Sequence, residues 1–259
     1  MRGVLSSEWL KLRSVRSTTY TLSAAALTVV LAGVYVYYAG TVWDGRDPAG
    51  RAAFRATAPE VGFLPLLQVS LAVLGVLAIT PEYATGMIRT SLAAVPRRGV
   101  LLLAKAGVVA GVTLTAALAI LFATYAVGRL VAGDRAMDFN TGSLGGDLPL
   151  LLGSAVSVTV LALIGLGVGT VTRSTVGGVV AVAAVLFVLP IMVTFVPAPW
   201  STRAASLLPA DLVRQIAGQE LSMRLGEGML SPVGALAVLV GYGAVAVAAG
   251  AAALHRRDA

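Results

Sequence analysis

The ionisable residues of this chain are few, and those best placed to act on another molecule are gathered in one basic segment. Residues 81–105 carry Glu82, Arg89, Arg97, Arg98 and Lys105, with Tyr83 beside the acid. Glu82 lies at the edge of an apolar run, where a carboxylate is tolerated mainly when paired or hydrated. An ordinary interfacial carboxylate is the plain alternative. Arg89 and Arg98 can pair with acids on a partner, or anchor to anionic headgroups at about 1 kcal/mol each. The chemistry open to such a set is electrostatic recognition.

Bond-making chemistry has little to work with. The absence of cysteine excludes disulfides, thiolate nucleophiles and cysteine-ligated metals. The only histidine, His255, stands beside Arg256 and Arg257 with no carboxylate cluster nearby, which suits a solvated tail better than a metal ligand. Gly165, Gly167 and Gly169 are spaced like part of a nucleotide loop, but they lie inside an apolar run with no strand before them, so close helix packing is the better reading. A Walker A loop needs Gly-Lys, whereas the two lysines, Lys11 and Lys105, follow Leu10 and Ala104.

These residues must be positioned by membrane helices. The chain of 259 residues is 58% hydrophobic and 12% charged, with a mean hydropathy of +0.89. An ordinary soluble domain has roughly a quarter charged residues, and a fold of this size has no water-facing surface to suit the ratio found here. Crossing the hydrocarbon core takes about 20 apolar residues at about 1.5 Å rise each. Six stretches qualify, at residues 18–39, 61–80, 106–128, 148–171, 177–196 and 233–254. The first follows basic residues, as a signal peptide does, but its apolar run is too long for an h-region and reads as a retained span. Pro190 removes a backbone donor within the fifth and can kink it. No internal repeat is visible, so one domain is the simplest account.

Charge sets the orientation. Arg2, Lys11, Arg13, Arg16, Arg89, Arg97, Arg98, Lys105, Arg173, Arg256 and Arg257 fall on the side of the N-terminus, and the rest of the 19 basic residues are spread over longer loops on the other side. The positive-inside rule then puts both termini in the cytoplasm. Most acids fall outside, including Glu220 and Glu227, with only Glu8, Glu82 and Asp258 inside. The net charge of +7 follows from this topology; the basic residues form no single exposed face, and no nucleic-acid partner is expected.

None of the six spans holds Asp, Glu or His. A membrane-embedded enzyme would need paired carboxylates, a histidine cluster or a nucleophile with its base there. An ion-coupled transporter or channel usually shows intramembrane ionisable groups or a lined filter. Gln68, Ser70, Thr113, Thr115, Ser154, Ser157 and Thr159 are polar residues of the kind that bond to their own or a neighbouring helix. A bare membrane anchor has no need for a segment as long as 81–105.

Three amphipathic stretches lie outside the spans. Leu5, Trp9 and Leu12 are spaced i, i+4, i+7 and predict either a helix along the inner leaflet or a solvated basic lead-in, residues 1–17 in all. Tyr83, Met87, Leu92 and Val95 predict a short cytoplasmic helix that Pro96 ends, with Arg97, Arg98 and Lys105 at headgroup level. Outside, residues 197–232 contain Leu207, Leu208, Leu212, Val213 and Ile216, which suit a pair of short helices or an interfacial loop.

The order Glu82-Tyr83, Gly86, Arg89, Leu92, Pro96 and Arg98, then Lys105 at the next span, resembles the coupling segment of ATP-binding-cassette (ABC) type 2 permeases. The opening SEWLKLRSVRST resembles the N-terminal elbow helix of that family's actinobacterial members, and Leu208-Pro209 before the last span agrees too. Met87 departs from the Thr often found after the glycine, and Arg97 from a small hydroxylated residue.

The resemblance implies an all-α permease subunit of an exporter in the bacterial plasma membrane, with residues 1–17 as elbow helix and residues 18–259 as a six-helix domain that includes the coupling segment 81–98. It implies a dimer, of identical or related subunits, forming a twelve-helix pathway. A cytoplasmic ABC ATPase would sit under each half and hydrolyse ATP, leaving this chain without a cofactor or catalytic residue. Its closure would move residues 82–98, and the second and third spans would carry that motion outward.

Overall fold

Backbone groups in hydrocarbon must be satisfied within their own segment, so apolar runs of this length form helices. A computed structural model describes residues 2–95, 97–219 and 230–256, and among them every regular element is a helix. Helix α1 (Arg2–Ser14) precedes the first span, α2 (Arg16–Asp44). Short helices α3 (Pro48–Ala52) and α4 (Pro59–Gly62) lead to the second span, where α5 (Leu64–Leu77) is continued by α6 (Thr80–Ala84). Helix α7 (Met87–Ala94) follows, then the third span, α8 (Arg98–Ala132), and the fourth, α9 (Leu144–Thr172). The fifth comprises α10 (Thr175–Ala183), a π-helical stretch Ala184–Val188 and α11 (Leu189–Thr194). Helices α12 (Trp200–Ser206) and α13 (Pro209–Ile216) lie before the sixth, α14 (Pro232–Arg256).

Among the described residues six helices are long and apolar enough to cross a membrane, as the sequence predicts. Most run past their expected ends, because polar residues continue a helix once it leaves the hydrocarbon. As a result Asp44, Glu82, Asp147 and His255 sit in the end turns of span helices that the shorter estimate left free of such groups. Pro190 does not break the fifth span. The π-helical stretch immediately before it covers the turn in which proline supplies no N–H.

The fourth span is the pillar of the bundle: 72% of its most apolar stretch is buried, against 11% for the fifth. It packs most extensively against α5 and α14, and glycines allow the approach. A Cβ at Gly75 would collide with the carbonyl oxygen of Ala162, one at Gly165 with that of Ala72, and one at Gly167 with that of Ala246. Gln68 Nε2 donates to Ser157 Oγ at 3.1 Å, a buried polar tie across the same seam. Gly107 and Gly111, which share the four-residue spacing of Gly165 and Gly169, form no seam, since Gly107 meets only Leu5 at 3.7 Å and Gly111 faces open space.

Helix α1 and the end of α14 lie on one face. Val4 and Leu254 join Ile79, Ile88, Leu101, Leu102 and Leu166 in a single apolar cluster, and Arg98 Nη1 donates to the Leu254 carbonyl at 2.6 Å.

Candidate coupling site

On that face the chain leaves the second span through Gly86, whose φ of 72° is a left-handed conformation that glycine adopts without strain. The turn separates α6 from α7. Helix α7 buries Ile88 and Ser91, packs Leu92 and Val95 against the apolar cluster, and leaves Arg89 exposed. Met87, expected on the apolar side with Tyr83 and Leu92, is 41% exposed; Ile88 takes the inward position. The helix stops at Val95, and Pro96 lies outside the described residues.

Four ionised groups and a hydroxyl join α1, α6, α7 and α8. Lys11 Nζ donates to Glu8 Oε1 at 2.7 Å, to Glu82 Oε1 at 3.1 Å and to Ser91 Oγ at 3.0 Å. Lys105 Nζ donates to Glu82 Oε1 at 2.9 Å and also to Glu8 Oε2. Glu8, Glu82 and Lys105 are buried. Two carboxylates alternate with two ammoniums, so formal charge cancels and each buried ion keeps a partner, without which its desolvation would cost several kcal/mol, about 3–5 on losing one partner. Burial alone would raise the pKa of Glu8, but Lys105 and Lys11 together bring it below its ordinary value of 4.5. Burial would lower that of Lys11, and its bonds to Glu8 and Glu82 carry it above 10.5.

The sequence places Lys105 at headgroup level at the start of the third span; it is instead buried inside this cluster. The motif marks Glu82 as a coupling residue but gives no sign of its partners Glu8, Lys11 and Ser91. One signal was available. The chain uses arginine for its other basic residues, and its only two lysines meet here with two of its three inside acids.

Helix α1 faces two ways. Leu5 and Trp9 are exposed, whereas Leu12 turns inward to the main core and Glu8 is buried in the ion cluster. Tyr83 packs beside the cluster around Ile79 and lies under the Arg173 guanidinium, 5.2 Å from the ring centre. Arg98 ties the third span to the sixth through the Leu254 carbonyl.

A second ion group closes the opposite face. Arg129 of α8 donates to Glu60 Oε1 at 3.0 Å and Oε2 at 3.2 Å, and to Asp147 Oδ2 at 3.1 Å, while its guanidinium lies 3.7 Å from the centre of the Tyr125 ring. Burial pushes Glu60 above its ordinary pKa against the pull of Arg129. Nearby, Arg135 holds Asp44 at 2.8 and 3.0 Å. In the loop before the sixth span, Gln215 Nε2 donates to the Ser206 carbonyl and its Oε1 accepts from Leu230 N–H. Of the two readings of residues 197–232, short helices or a loop, the structure has the helices α12 and α13, while Glu220 and Glu227 lie outside the described residues.

The model of the ABC-2 family transporter proteins matches residues 4–198, from α1 through the fifth span. The chain belongs to the ABC-2 transporter family. Membership makes it a permease of an ABC transporter, a multi-pass membrane protein of a class that works with an ATPase subunit. Among individually curated proteins none matches this ABC-2 permease.

Proposed function

We propose that this chain is the membrane-spanning subunit of an ABC exporter in the bacterial plasma membrane, working as a dimer with a separate cytoplasmic ATPase that docks on α7. The basic face is the cytoplasmic one, as the distribution of arginine and lysine indicates. ATP is bound and hydrolysed on the partner, and this chain supplies the pathway and no catalytic residue.

The observation that carries the proposal is the buried ion cluster behind α7. A docking helix held only by apolar contacts could slide on the bundle; this one is bonded through Ser91 to Lys11, and Lys11 to Glu82 at the end of the second span. Displacement of α7 by a closing ATPase pair is therefore passed to α1, α6 and α8 together. Because α5 is seated on the fourth span at Gly75 and Gly165, the second span carries the fourth with it. Glu82 and Lys105 act as positioning groups, Arg89 and Gly86 present the docking face, and Leu5 and Trp9 hold α1 at the inner leaflet.

The test is purification of the tagged chain from its native host, with identification of what accompanies it. An ATPase with a nucleotide-binding domain is expected with the wild type and lost with Arg89→Glu, whose exposed position leaves the fold intact. Wild-type chain recovered without any such ATPase, under conditions that preserve a known transporter complex, would overturn the proposal in favour of an uncoupled channel or an anchor subunit.

A further inference from the structure

The second span is not one continuous helix. It is interrupted at Ala78 and Ile79, where α5 ends and α6 begins, and Ile79 leaves helical geometry with φ −125° and ψ −38°. Pro81 weakens the chain at this point, because it gives no N–H to the Leu77 carbonyl one turn back. The α6 side of the interruption carries Glu82 and belongs to the ion cluster. The α5 side is seated on the fourth span through Gly75.

The fifth span is attached on both sides of this interruption. Thr175, the first residue of α10, donates its hydroxyl to Thr80 Oγ1 at 2.8 Å, and the Thr80 hydroxyl donates in turn to the Val76 carbonyl at 3.1 Å. One turn further along α10, Gly178 lies against Val76 of α5, where a Cβ would come within 2.6 Å of Val76 Cγ1. The two contacts differ in kind. The hydroxyl bond is directional, and Thr80 is buried, so the bond fixes one residue to another. The contact of glycine with a valine methyl has no preferred direction and lets the helices pivot. The fifth span has little other packing to hold its inner end, since only 11% of its most apolar stretch is buried.

We infer that the Thr175 hydroxyl is the grip by which α6 positions the fifth span. Displacement of α6 bends the second span at Ala78 and Ile79, draws Thr175 along with Thr80, and tilts α10 about its contact with Val76. Thr175 and Thr80 are positioning residues, acting through the helices that carry them. The inference rests on the proposed function and extends the motion to a span that the ion cluster does not include.

The test uses the complex of this chain with its ATPase in lipid vesicles, with any cysteine of the ATPase replaced by serine. Because the chain itself has no cysteine, Val180→Cys on α10 and Leu66→Cys on α5, both at exposed positions, accept a pair of nitroxide labels. Pulsed electron paramagnetic resonance reads the label separation without nucleotide and with a trapped ATP analogue. A shift in separation on trapping is expected in the otherwise wild-type chain and with Thr175→Ser, which keeps the hydroxyl. The shift should be lost with Thr175→Val, which is close in shape and should still bring down the ATPase. A shift of equal size with Thr175→Val, loss of the shift with Thr175→Ser, or no shift in the wild-type background overturns the inference and leaves the proposed function standing. Wild-type chain that brings down no ATPase removes both.

Discussion

Lys105 and Glu82 meet at 2.9 Å with both side chains 5% exposed, although they lie 23 residues apart on different spans. Because Lys105 also bonds Glu8, one ammonium fastens the third span to the end of the second and to α1. Pulling any of these helices away leaves an uncompensated buried charge. Under the proposed function the cluster is a joint that moves whole, which is what a coupling element requires.

Removal of the central ammonium is the direct check. Lys105→Met leaves two buried carboxylates facing Lys11 alone, and breaking a buried pair in this way costs about 3–5 kcal/mol. Adding Glu82→Gln to it removes one of the stranded charges and should restore part of the loss, with a coupling of about 0.5–3 kcal/mol. Thermal unfolding in detergent micelles reads both; two variants that melt like the wild type would show that the cluster bears no load.

The pH dependence has a defined sign. Glu8 has a native pKa below 4.5, so its contribution is complete above about that pH and disappears as pH falls through the native value. Glu60 works in the opposite direction: its native pKa lies above 4.5, and its contribution is lost as pH rises through that value. The two partly mask each other in the wild type. The difference in melting temperature between wild type and Glu8→Gln isolates the first, and that difference should shrink below pH 4.5. A gap that stays constant with pH would mean that folding leaves the Glu8 pKa unshifted.

Much of this fold is legible because hydrocarbon permits so few structures. The six spans follow from run length, and a short helix ending before Pro96 follows from periodicity, whereas the turn at Gly86, which divides the helix expected from Tyr83 to Val95, does not. What was not legible depends on partners distant in sequence. Lys105 looks like a headgroup lysine until Glu8 and Glu82 are seen beside it. Arg173 looks like a topological marker until Tyr83 lies under it. Leu12 shares a heptad spacing with Leu5 and Trp9, yet faces the core while they face outward, because Glu8 and Lys11 set the rotation of α1. Periodicity finds an amphipathic helix; buried charge decides which way it turns.

At the opposite face, Arg129 should tolerate neither loss of charge nor loss of shape. Its guanidinium bonds both oxygens of Glu60 and one of Asp147, a planar fork that a lysine ammonium cannot reproduce. Arg129→Leu strands two acids and should cost about 3–5 kcal/mol. Arg129→Lys should fall between it and the wild type, because it keeps the charge without the geometry. Equal melting temperatures for Arg129→Lys and wild type would reduce the site to a point charge.

The glycine seam gives the last prediction, since it separates close packing from mere glycine content. Gly75 faces the Ala162 carbonyl so closely that a methyl group forces the second and fourth spans apart, while Gly111 faces open space on the third. Gly75→Ala should therefore destabilise by about 1–3 kcal/mol through overpacking, and Gly75→Val by more. Gly111→Ala should be neutral or slightly stabilising, as alanine is the better helix former by about 1 kcal/mol. If the second span carries the fourth during transport, Gly75→Ala should also uncouple ATP hydrolysis from transport in the reconstituted complex, leaving ATP turnover near the wild-type rate. Full transport with a widened seam would show that the two spans move independently, and the path of the motion would have to run through the third span alone.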